Sequence, residues 1–413
     1  MSNKVQHYLK SKENLSFFER PISVIVIIDF LIFIYILSIY LFSYGEDNFI
    51  SKGIALLLMG VLTVYILLTG KLVVNKLTAF MGGFTFFCFF SSFWAIESDR
   101  AVSQSITMVQ LFILVVLLYN YLIKENKLNF LITVMCLVGT VYAIYTILYF
   151  GVDAYFAGLE EGDRMGSDVN NVNTIGLAAA SASLISLWKV FYNKKYWYLI
   201  STVICGIVAL GSGSRKVLIM LVLGILFLFV LKGDSKKKLT SLLQGAALLV
   251  AFYMVLQLPI FETINERTES LLNMFTGAGK VDHSTMIRAK MIMGGWNQFL
   301  ETPFTGVGIG NSGYVSLESA GRFTYLHNNY IELLASVGIF GTLIYYGMYL
   351  APMPQIIKSA FKQNKYAILG LVMLLIQLIM QYGAVQYYTK TSYLYVILFF
   401  LIADSERKKT LND

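Results

Sequence analysis

The sequence predicts an all-α membrane protein that crosses the bilayer about twelve times and carries one long helical loop outside the cytoplasm. Three observations predict it. Hydrophobic residues make up 57% of the 413 and charged residues only 14%. That balance suits lipid better than water. Apolar runs long enough to span a bilayer recur along the chain, and lysine gathers in every second short connection. The three cysteines, Cys88, Cys136 and Cys205, each sit inside an apolar run, so neither a disulfide nor a thiolate metal site is expected. The net charge of +8 does not imply nucleic acid, because no soluble face gathers the basic residues.

The first apolar run, 22–44, is too long for a signal-peptide core and is read as an uncleaved span. Further runs lie near 53–70, 77–96, 104–123, 128–150 and 171–191. Six more lie near 197–213, 217–231, 239–258, 328–351, 366–385 and 388–403, with 217–231 the shortest. Placing the N-terminus in the cytoplasm puts 21 of the 32 Lys and Arg residues in inside segments, although the outside segments are longer. Both termini are therefore expected in the cytoplasm, and the protein in the cytoplasmic membrane. Asp29 is the only clear acid or base within a span.

The longest polar interval, 259–327, is expected to be an extracytoplasmic loop within a single integral domain, 1–413. Apolar spacing predicts a helix over Glu262–Phe275 and another over Ser284–Leu300. Asp282 or Ser284 would cap the second, and Pro303 with the glycine-rich run Thr305–Tyr314 would end it.

Four outer segments hold candidate chemistry. The first is the Asn-rich stretch 162–173 with Arg164, and the second is Gly211-Ser-Gly-Ser-Arg-Lys216. In the second, small residues free the backbone amides, a helix begins, and Arg215 beside Lys216 offers a guanidinium fork to an anion. A basic side chain snorkelling at a helix end explains Arg215 equally well on this motif alone. The third segment has Arg288, Lys290 and Trp296 on an amphipathic helix, which could also lie flat in the membrane interface. The fourth is His327-Asn-Asn-Tyr-Ile-Glu332, with Asn328 and Glu332 one turn apart on a helix face. An imidazole there could accept a hydroxyl proton near neutral pH, with Glu332 orienting it. His283 is a rival base in a more solvated setting. Glu97-Ser-Asp99 is a weak metal motif, and no His/Asp cluster shows ligand spacing, so no metal is expected. Gly306-Val-Gly-Ile-Gly310 is read as a tight loop, since no strand precedes it.

Taken in order, these segments resemble the O-antigen polymerase and O-antigen ligase family over roughly Arg164–Leu343. The resemblance rests on Arg164-x-Gly166 with Asn170, Asn171 and Asn173, then on Gly-Ser-Arg215. It continues through Arg288 with Trp296, Pro303-x-x-Gly306-x-Gly308-x-Gly310, and His327-Asn328-x-Tyr330 followed by Gly338 and Gly341. The family's Asn-Pro-Asn is here Asn171-Val-Asn173. The resemblance implies a C-type glycosyltransferase fold and transfer from an undecaprenyl-pyrophosphate-linked glycan, without a metal or other cofactor. In it Arg215 and Arg288 grip the pyrophosphate, Arg164 adds to the grip, and His327 deprotonates the acceptor hydroxyl. Lys216, Asn328, Glu332 and Trp296 are expected around the substrate.

The leading expectation is an inverting repeat-unit polymerase whose partners are lipid-linked donor and acceptor, a chain-length regulator and a flippase. A ligase to lipid A core or protein is the alternative. A lipid-linked oligosaccharide flippase is the reading from another class, disfavoured because no repeated halves appear.

Overall fold

The computed structural model describes residues 24–42, 48–70, 72–161, 163–166, 169, 171–233, 238–258 and 283–412. Each of the twelve apolar runs is a helix, as backbone polar groups away from water must be satisfied within their own segment. They are α1 (Val24–Leu41), α2 (Asn48–Thr69), α3 (Lys76–Phe90), α4 (Ser98–Lys124) and α5 (Leu128–Phe150). The short α6 (Val152–Glu160) precedes α7 (Val172–Asn193), α8 (Tyr198–Gly211), α9 (Arg215–Val230) and α10 (Lys238–Leu256). Two loop helices follow, α11 (His283–Glu301) and α12 (Ser312–Ala320). The last four are α13 (Asn329–Leu350), α14 (Met353–Phe361), α15 (Lys365–Met380) and α16 (Lys390–Asn412).

Among the described residues there is no strand, and eight helices are long and apolar enough to cross a membrane. With α8 and α15 as shorter apolar helices, this makes the chain a multi-pass membrane protein. The second loop helix begins one residue before its expected start, at His283. The helix expected over Glu262–Phe275 lies outside the described residues. Three short helices were not expected from the sequence. Of these, α14 buries Ile356 and Ala360, one turn apart, beneath its basic face.

Because consecutive long helices run antiparallel, the connections fall at two ends. One end gathers 91–97, 151–171, 212–214, 302–328 and 381–389, and is called here the loop end. At the other end Asp29 of α1 receives Lys127 at 2.7 Å and the Tyr121 hydroxyl at 2.7 Å. Asp29 is not alone as a charged residue within the bundle. Glu332 in α13 and Lys189 in α7 are both buried, each 2% exposed. Lys189 Nζ donates a hydrogen bond to Thr133 Oγ1 at 2.8 Å and lies over the Tyr198 ring.

The loop end is held by the Pro303–Asn311 segment, which binds two distant elements at once. Val307 N donates to Ala335 O at 2.9 Å and Ile339 N to Pro303 O at 2.8 Å. On the other side, Ile96 N donates to Val307 O at 3.1 Å, Ile309 N to Ser91 Oγ at 3.1 Å, and Trp94 Nε1 to Thr305 O at 3.0 Å. Only glycine permits so close a passage. A β-carbon on Gly306 would stand 2.4 Å from the Ser336 carbonyl carbon, and one on Gly308 would stand 2.4 Å from Ala95 Cβ. Gly306, Gly308 and Gly310 all take positive φ, at 63°, 90° and 78°. Helix α13 breaks to receive the segment, with Gly338 at φ 62°, ψ −168°, a region essentially reserved for glycine.

Gly338→Ala should therefore destabilise the protein by at least ~3 kcal/mol, because strain adds to a contact of 2.4 Å with Phe304. The check is the unfolding temperature of the purified protein in detergent. A shift no larger than that of an exposed Gly→Ala control, such as Gly53→Ala, would show that the break is not required.

Candidate active site

The site is built at the loop end from α9, α11, α13 and the turns beside them. Residue 327 follows Leu326, which is wholly buried in a cluster with Met291 of α11, Val307 and Val315 of α12. On either side of it Tyr325 is exposed and His327 partly so. Their rings meet at 4.3 Å between centroids. His327 itself is left-handed, at φ 59°, a conformation that turns the chain sharply into α13. Asn328 then caps that helix, its side chain accepting from Tyr330 N at 2.9 Å and Ile331 N at 3.2 Å.

Glu332 fixes this arrangement from beneath. One carboxylate oxygen accepts the Ser312 hydroxyl of α12, and the other accepts Leu326 N at 2.8 Å. The two oxygens thus tie α12 and the segment that carries His327 to α13, and the imidazole is oriented through the backbone and not by direct contact with the acid. Asn329 ties the same corner to the 381–389 turn. Its amide donates to Gln381 Oε1 at 2.8 Å and accepts Gln386 N at 2.8 Å and Tyr387 N at 3.1 Å.

The basic residues fall into two adjoining groups. Arg164 lies along the Gly-Ser-Gly-Ser turn, donating from Nε to Ser212 O at 3.0 Å and from Nη2 to Asn173 Oδ1 at 3.2 Å. Gly213, at φ 58°, is packed against its stem. Arg215 is the first residue of α9 on the same turn, half-buried. Lys216 follows and donates to the carbonyl of Gly383. Arg288 stands exposed on α11, close enough to act electrostatically on Lys216 and His327 alike.

Burial, then the charge of Arg288, then that of Lys216 push the His327 pKa down to about 4. Its ring is accordingly neutral across the physiological range. Beside Lys216 an apolar groove of about 450 Å³ runs between α9 and α15, walled by Ile219, Tyr330, Leu378, Ile379 and Met380.

Of the residues singled out in the sequence, His327, Arg288 and Lys216 come together, and Arg164 and Arg215 share the adjacent turn. Asn328 and Glu332 lie directly under His327, with their polar atoms engaged inside the protein. Trp296 stands apart on α11, 42% exposed and against Phe299. His283 opens α11. Glu97 receives Arg100 Nε and the Tyr314 hydroxyl, both at 2.5 Å, and these bonds, the tyrosine's first, hold its carboxyl below the usual range. Among the described residues no group of three His, Cys, Asp or Glu is placed to hold a metal ion. Tyr325 and Asn329 were missed by the sequence reading. The only signal was their place on either side of His327.

Residues 200–346 match the family model described as O-Antigen ligase. Over this segment the chain is similar to the O-antigen ligase family. The matched segment contains Arg215, Lys216, Arg288, Trp296, His327, Asn328 and Glu332, and Arg164 lies before it. No curated protein matches the chain.

The sign of the His327 shift gives a direct test. A folded pKa near 4 against about 6.5 unfolded means the unfolded chain binds the extra proton, so stability falls as pH drops from about 6.5 towards 4. The His327 ring signal in NMR, identified by its loss in His327→Gln, should titrate near pH 4 and move upward in Arg288→Gln. A midpoint near 6.5 that ignores Arg288 would separate the two residues.

Proposed function

We propose that the chain is an oligosaccharide repeat-unit polymerase, moving a growing glycan from its polyprenyl pyrophosphate to a new lipid-linked repeat unit. One observation carries this reading: Arg288, Lys216 and a neutral His327 converge beside an apolar groove on the flank of the bundle. The groove offers a path for a polyprenyl chain, and the cations offer charge to the pyrophosphate at its head.

The chemistry follows from that placement. His327 takes the proton of an acceptor sugar hydroxyl as its oxygen attacks the anomeric carbon. The glycosidic bond to the lipid pyrophosphate breaks on the opposite side, so the anomeric centre inverts. Arg288, Lys216 and Arg215 meet the negative charge that develops on the departing phosphate, the part a divalent cation would otherwise play. The donor also tunes the base. Its negative charge offsets the two cations that depress His327, raising the basicity of the imidazole when substrate is bound. Arg164 serves by fixing the 212–216 turn, and Glu332 and Asn328 by fixing the segment and helix that carry His327. Among the described residues, the lysine-bearing short connections near 124–127, 189–195, 232 and 358–365 lie opposite the loop end, which supports a reaction on the outer face of the cytoplasmic membrane.

A ligase that transfers finished glycan to lipid A core or protein uses the same donor chemistry, and the description of the matched family favours it as the second reading.

His327→Ala and Arg288→Ala should each abolish long polymer while lipid-linked single units and protein levels remain. Normal polymer length in both variants would overturn the assignment. Purified protein given a lipid-linked repeat unit should yield a ladder on a gel. Transfer confined to a separate acceptor would establish the ligase instead. The ladder should persist in EDTA, and its loss, restored by added Mg²⁺ or Mn²⁺, would bring a metal into the mechanism.

A further inference from the structure

A second cavity, of about 180 Å³ and with a lining that mixes polar and apolar side chains, lies between α1, α7, α9, α15 and α16. Its position is fixed relative to the cations. Met220 in its wall is one helical turn below Lys216 on the same face of α9. Thr174 in its wall follows Asn173, the acceptor of Arg164, and Ala384 follows Gly383, the acceptor of Lys216. The cavity therefore sits under the basic residues, displaced towards the bundle axis from the apolar groove.

Its lining has a distinct chemistry. Gln377, Gln386, Thr174, Ser181, Ser392 and Tyr395 contribute amides, hydroxyls and a phenol, and no charged residue lines it. A phosphate or an ion would find no countercharge there, while a neutral molecule rich in hydroxyls would find donors, acceptors and an aromatic face. Gln377 is the decisive member. It is 7% exposed in the apolar helix α15, and its side chain makes no hydrogen bond to any described residue. A buried amide without a protein partner is costly, so its partner is expected to come from outside the chain. The volume is enough to admit one sugar ring.

We propose that this cavity is a neutral-sugar subsite, in which Gln377 hydrogen-bonds the hydroxyls of one ring of the lipid-linked substrate. The proposal rests on the glycosyl-transfer reading above and adds to it where one sugar of the substrate is recognised.

The test uses Gln377→Met in the full-length purified protein, with the lipid-linked repeat unit as probe. If the amide serves the substrate, KM should rise about tenfold, while the unfolding temperature stays the same or rises because an unpartnered amide has been removed. An unchanged KM would show that the cavity holds water only. A fall in unfolding temperature accompanied by lost transfer would show a structural amide. Either result overturns the subsite. His327→Ala, measured alongside, tests the underlying reading separately: if that variant retains transfer, the enzyme assignment itself fails, whatever Gln377→Met does.

Discussion

The loop end of this protein depends on a backbone made narrow enough to pass between two others. Residues 303–309 are hydrogen-bonded to the broken helix α13 on one side and to the 91–96 turn on the other. No side chain could occupy that space, and three glycines with positive φ are the physical condition for it. Helix α11 runs directly into this segment, and Arg288 rides on α11. The position of a cation at the site is thus set by backbone contacts some distance along the chain from it.

The second requirement is electrostatic. Burial, then Arg288 and Lys216 beside it, suppress protonation of the His327 imidazole, so the ring is held neutral. The carboxylate that sequence reasoning would naturally set beside the histidine is turned away from it. Glu332 instead secures Ser312 and Leu326 N. A negative charge against His327 would have raised its pKa and favoured the cationic ring, which has no free pair to accept a proton. Orientation through the backbone avoids that conflict.

Much of the fold was legible because lipid simplifies the code. All twelve apolar runs became helices, and the stop at Pro303 and the start near Ser284 followed from ordinary end signals. The short helices α6, α12 and α14 were not legible, since nine residues give too little periodicity to separate from a polar loop. At the site, charge type and spacing pointed to Arg164, Arg215, Arg288 and His327, because cations beside small residues are conspicuous against an acidic, apolar background. The partners of Glu332, the break at Gly338 and the open amide of Gln377 were hidden for a common reason. Each is defined by a neighbour far away in the chain, and local pattern carries no record of it.

The same long separations set an order of assembly. Trp94 and Glu97 wait for partners more than 200 residues downstream, at Thr305 and Asn311, and Lys216 waits for Gly383, 167 residues on. Helices made and inserted first therefore stand with open polar groups at the loop end until the final third of the chain arrives. The antiparallel pairs can form as they emerge, but the corner that carries His327 closes only when the 381–389 turn is in place. That corner is in this sense the last part of the bundle the growing chain completes.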